Sequence, residues 1–150
     1  MFDKLKHLFD RHIALKENDS DMQEKLRVAC AALFLEMMHS EEKAESEKLI
    51  LILGLLETTF GLAEHQASAL MEIAEHRREQ ATDYFEFTHF ICIEYTHEQK
   101  LQLIESLWQV AFTDNHLGIE EEYLVDKVAR LLFVPHAEVL AAKNRVRYGQ

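Results

Sequence analysis

Glycine and proline are scarce in this chain. Four glycines and one proline occur in 150 residues, against an average usage of about 7% and 5%. Sandwiches, barrels and glycine-rich phosphate loops need turn residues that are missing here, which excludes those architectures. Cysteine is nearly absent too. Cys30 and Cys92 each sit among apolar residues with no C-x-x-C spacing, so they read as buried thiols of a reducing cytoplasm and not as a disulfide framework. Apolar runs such as Leu49 to Leu53 are far short of the roughly 20 residues that cross a bilayer. The opening MFDKLKHLFDRHIALK has no uninterrupted apolar stretch and is not a secretory signal. Positive charge is also in deficit, with 16 Lys and Arg against 27 Asp and Glu. No nucleic-acid partner is expected, because such binding needs clustered basic side chains.

What is present is helical and acidic. A hydrophobic fraction of 48% with 29% charged residues describes one globular domain with a substantial core. The net charge of −11 is unevenly spread: residues 1–16 carry +2, residues 127–150 carry +4, and the stretch between them carries −17. That asymmetry favours a cation or a cationic partner for the middle of the chain, or else marks a solvated acidic surface.

Helical periodicity recurs from end to end. Phe2, Leu5, Phe9 and Ile13 mark an N-terminal helix over 1–18. It reads as docking on the core, with peripheral membrane association as the alternative use of its basic amphipathic face. Ser20-Asp-Met-Gln23 has the form of a capping box, so a second helix is expected from there to Met38. Residues 39–48, HSEEKAESEK, break the pattern and read as a polar loop. A third helix then ends at Gly61, a suitable left-handed C-terminal residue, and a fourth covers about 63–80. Thr82 and Asp83 cap a fifth through the aromatic cluster at 84–90. Thr96-His-Glu-Gln99 is another capping box and opens a sixth. A seventh follows the polar loop 113–118, and Pro135 suits the first turn of a last helix. The expected fold is all-α: a single compact domain of about seven to eight short helices, with a first half at 20–80 and a second at 83–147.

The two halves share a plan. FLEMMHSEEKAESEKLIL (34–51) and LWQVAFTDNHLGIEEEYL (107–124) each read as a broad apolar helix, an acidic loop and an amphipathic helix. Aligned without gaps, Glu41 falls on Asp114, Ala44 on Leu117 and Leu51 on Leu124. Such units facing each other would form a pseudo-twofold core.

The second acidic loop is the best site candidate, because residues 112–126 hold five acids and no Lys or Arg. Carboxylates at a helix-to-helix bend can supply the oxygens a hard divalent cation needs, and Asp114 and Glu121 could meet there. The loop does not fit the EF-hand pattern. The same acids also suit the positive end of the following helix dipole, and both readings stand. Three Glu-x-x-His pairs (Glu36/His39, Glu86/His89, Glu94/His97) raise the alternative of a carboxylate di-iron protein built in a helical bundle. No nucleophile elbow, P-loop or zinc-protease motif is present.

These residues carry a resemblance. The segment 105–145, with Ala111, Asp114, Leu117, Glu121, Leu124, Val134 and Pro135 in place, resembles the C-terminal half of the TerB-like tellurite-resistance family. AALFLEMM (31–38) and FGLAEHQASALMEIAE (60–75) resemble its first half. The resemblance implies an all-helical fold of two related halves, a role in tellurite resistance or general stress response, and a chaperone-associated interaction role. It also implies metal binding at shared acidic positions. Carried over, those positions are Asp114 and Glu121 in the second half, with Glu36 and Glu41 in the first. Lys48 stands where a Glu is expected, and the adjacent Glu47 is the substitute carboxylate. The expectation is therefore a non-enzymatic cytoplasmic domain that binds a divalent cation at its acidic loops and scaffolds a protein partner. The alternatives are the di-iron protein and a pure interaction module using the N-terminal helix or the basic tail (Lys143, Arg145, Arg147).

Overall fold

A computed structural model describes the backbone of residues 2–40, 45–83, 85–113 and 117–149, and the side chains within those ranges from residue 21 onward, apart from that of residue 45. The described residues form seven α-helices and no strand: α1 (Phe2–His39), α2 (Glu45–Phe60), α3 (Glu64–Gln80), α4 (Phe85–Glu94), α5 (His97–Ala111), α6 (Ile119–Leu131) and α7 (His136–Tyr148). Among them no helix is long and apolar enough to cross a membrane.

The two helices expected before residue 39 are one helix of 38 residues. No glycine or proline occurs in residues 1–39, so no strong helix breaker interrupts this helix. Asn18, Asp19 and Ser20 are weak helix formers, but each costs only about 0.7 kcal/mol or less relative to Ala, and strong formers flank them. The second half of α1 is buried nearly all round, from Leu26 through Ala29–Leu35 to Met37 and Met38. A helix apolar on every side belongs at the centre; α1 packs against α2, α3, α4 and α5.

Local chemistry sets the other boundaries. Gly61 ends α2 at φ 64°, and the Leu62 amide donates to the Glu57 carbonyl at 3.0 Å, the long bond of a Schellman ending. The Asp83 carboxylate accepts the Phe85 amide at the start of α4. At Thr96 the capping box closes in both directions, with Gln99 N–H on the Thr96 hydroxyl at 3.2 Å and Thr96 N–H on the Gln99 side chain at 2.9 Å. Pro135 lies one residue earlier than expected, as the N-cap of α7. Trp108 is buried, and its indole N–H donates to the Val139 carbonyl at 3.2 Å, tying α5 to α7. Of the aromatic cluster, Phe87 enters the core while Phe85 stays exposed.

The helices repeat in order. A shift of 73 residues, the separation of Lys48 and Glu121, carries the second half of α1 onto α5, α2 onto α6 and α3 onto α7. The helix α4 joins the two sets.

Candidate functional site at the junction of the halves

The start of α6 is built around Glu121. Gly118 is the N-cap, and the Glu121 carboxylate folds back so that Oε1 accepts the Gly118 amide at 3.2 Å. This is the reciprocal half of a capping box, the half that needs no side chain at the cap. Its other oxygen, Oε2, accepts from Lys48 Nζ at 3.1 Å, and both side chains have no solvent exposure at all. Removing one partner from a pair buried this completely costs about 3–5 kcal/mol, because the other charge is stranded away from water. Lys48 belongs to the segment expected to be a polar loop. Instead α2 begins at Glu45, so the ammonium is delivered into the core from its first turn. The ungapped register that pairs Leu51 with Leu124 also pairs Lys48 with Glu121, so the two charges occupy equivalent positions of the repeat and meet between its halves.

The other expected site residues are dispersed. Glu36 accepts from Arg78 at 3.0 Å on the face between α1 and α3, and Glu47 is exposed while its neighbour Lys48 is buried. Asp114 and Glu41 lie outside the described residues. Leu117 is half-buried against the core. Glu122 takes Lys143 at 3.0 Å and Glu105 takes Arg145, so the basic residues of α7 fold back onto the acids of α5 and α6. Of the Glu-x-x-His pairs, Glu86 and His89 are exposed on α4, while His39 pairs with Glu75 and His97 with Glu138. Among the described residues, no three His, Cys, Asp or Glu side chains converge where a metal ion could be held.

Two clusters carried no sequence signal. In the first, Glu75 lies between His39 at 3.2 Å and Arg78 at 2.6 Å. Burial opposes its ionisation, but the hydrogen bonds from Arg78 and His39 outweigh that and hold its carboxyl below the ordinary value. In the second, the Cys30 thiol is 3.5 Å from the Tyr95 hydroxyl. Burial pushes the thiol up to about 12, only partly offset by that hydrogen bond, and burial likewise raises the Tyr95 hydroxyl. Both residues lie on an open cleft of about 1020 Å³ between α1, α2 and α5. Among the described residues its lining includes Glu94 and Glu105 and no Lys, Arg or His. Gly54 faces it from the middle of α2, and a Cβ added there would meet nothing within 4 Å.

No curated protein and no solved structure matches the chain in comparisons with either set. The family model described as tellurite resistance protein TerB matches residues 27–144. That span begins inside α1, takes in α2 through α6 whole, ends inside α7 and includes both Lys48 and Glu121. An all-helical chain with this repeat and this extent of match belongs to the TerB family.

Proposed function

We propose that this chain is a non-catalytic TerB domain of the tellurite and stress response, acting in the cytoplasm by docking a helix of a protein partner in the cleft between α1, α2 and α5. The observation that carries this reading is Gly54. A mid-helix glycine costs about 1 kcal/mol relative to Ala, and no contact among the described residues requires one here, since its Cβ position is open. A bare backbone at the floor of a cleft lets another helix approach closely. Beside it, Leu51 and Leu55 line the cleft and Ile50 is 72% exposed, which suits the apolar stripe of an amphipathic helix. Glu94 and Glu105, with no basic residue among the described lining residues, favour a stripe flanked by Lys or Arg. The two cysteines are free, in keeping with a reducing compartment. Cys30, the one thiol among the described lining residues, is kept protonated by burial, which supports a binding role over a catalytic one.

The test is survival under tellurite challenge of cells carrying variants in place of the wild type. G54W places an indole at the floor of the cleft, where a docking helix would approach, and is expected to fold at least as stably as wild type, because replacing a mid-helix glycine gains about 0.5 kcal/mol. Its survival is expected to drop to that of cells lacking the gene, while C30S protects fully. A G54W protein that protects as well as wild type removes the docking site. A well-folded C30S protein that fails to protect points to thiol chemistry instead.

A further inference from the structure

The fold family implies a divalent cation at the acidic junction, and among the described residues the donors there do not fit one. A hard cation needs several oxygens free to converge on it. At the junction of α2 and α6 the Glu121 carboxylate is engaged at both oxygens, by the Gly118 amide and by Lys48 Nζ. The position equivalent to Glu121 in the first half holds an ammonium where a second carboxylate would be needed.

We propose that Lys48 is a tethered cation: its ammonium stands where a divalent ion would bridge the two halves, so this junction is closed permanently and without metal. Three observations support it. The pair is fully excluded from solvent. It joins equivalent positions of the repeat, where two like charges would need a cation between them. And a buried ion pair is seldom kept for stability alone, since apolar residues of similar volume serve as well. A specific requirement for positive charge opposite Glu121 explains its presence. This inference does not depend on the cleft, and its test leaves the cleft untouched.

Calorimetric titration of the full chain with calcium, magnesium and manganese chlorides, together with melting temperatures in each ion and in EDTA, is the experiment. Wild type is expected to show no stoichiometric binding tighter than about millimolar and, at matched ionic strength, a melting temperature that neither the ions nor EDTA moves. K48E places a second carboxylate at the junction. It is expected to bind one divalent ion at least about tenfold more tightly than wild type and to melt about 5 °C higher with saturating ion than in EDTA. K48M keeps the aliphatic stem and removes the charge. It is expected to melt below wild type, and K48M/E121Q, in which both charges are gone, to regain most of the loss. The inference is overturned if wild type binds an ion through Glu121, shown by loss of that binding in E121Q. It is equally overturned if folded K48E binds none, or if K48M/E121Q melts no higher than K48M. Where K48E is unfolded in EDTA, refolding in each ion is the readout: recovery supports the inference, and failure in all three ions overturns it.

Discussion

Glu75 shows how one side chain can make a helix junction sensitive to acid. It accepts from Arg78 within α3 and from His39 at the end of α1, and its carboxyl is held below the ordinary value despite the opposing effect of burial. A carboxyl depressed in the folded state stabilises it fully above the unfolded value, and that contribution is lost as pH falls through the folded one. E75Q is therefore expected to cost about 0.5–1 kcal/mol at pH 7, a modest figure because the group is about a third exposed. Denaturant titrations of E75Q and wild type are expected to converge as pH drops below about 4.3, the ordinary glutamate value. A gap that stays constant down to pH 3 would mean the residue acts through packing.

Residues of this kind were not legible in advance. Glu36, His39, Glu75 and Arg78 come from two helices whose relative rotation the sequence does not encode in any short spacing. Lys48 was misread for a different reason. A lysine in a run of glutamates looks solvated, and only its partner 73 residues away reveals that the ammonium is buried. The signal was nevertheless in the sequence, because the register of the repeat sets Lys48 against Glu121.

Helix ends were read more reliably, since each is decided by a few neighbouring residues. Gly61, Asp83 and Thr96 terminate or cap helices where their chemistry says they should. The end of α6 had no such signature. Phe133 takes the left-handed conformation at φ 59°, while Val134 N–H reaches the Ala129 carbonyl at 2.9 Å and Phe133 N–H the Arg130 carbonyl at 3.1 Å. This is a Schellman ending with phenylalanine at the position that favours glycine. The ring is 80% exposed, so little packing offsets the backbone cost. F133G is expected to gain about 0.5–1 kcal/mol, the relief of left-handed strain less the entropy of glycine in the unfolded chain, seen as a melting temperature raised by about 1–4 °C. A lowered melting temperature would show that the ring is packed more tightly than its exposure suggests. The missed continuity of α1 is the converse lesson. A capping-box sequence starts a helix only where the preceding chain has a reason to stop, and no glycine or proline before Ser20 supplies one.

At the scale of the whole molecule, the acidic excess is only partly answered from within. Lys143 and Arg145 turn back onto Glu122 and Glu105, and Lys48 cancels Glu121, yet the net charge remains −11. Repulsion among the surplus carboxylates opposes compaction and is screened by salt. Raising ionic strength from about 10 mM to about 150 mM, which shortens the screening length from about 30 Å to about 8 Å, is expected to raise the melting temperature by a few degrees. A fall would mean that the surface ion pairs outweigh the repulsion. The fold class followed directly from the scarcity of glycine and proline, because helices alone need few turns. The convergence of side chains at the junction did not, since it depends on how two repeats face each other.

The unlike charges at equivalent positions have a further consequence for how copies of this chain sort themselves. A molecule made of two similar halves can in principle pair first half with first half, or second with second, across two chains. The first pairing would bury ammonium against ammonium, and the second carboxylate against carboxylate, each without compensation. Only a first half meeting a second half cancels the charge. The pair that closes the junction thus also acts as a polarity mark, making two similar halves distinguishable to each other while the chain is still choosing its contacts.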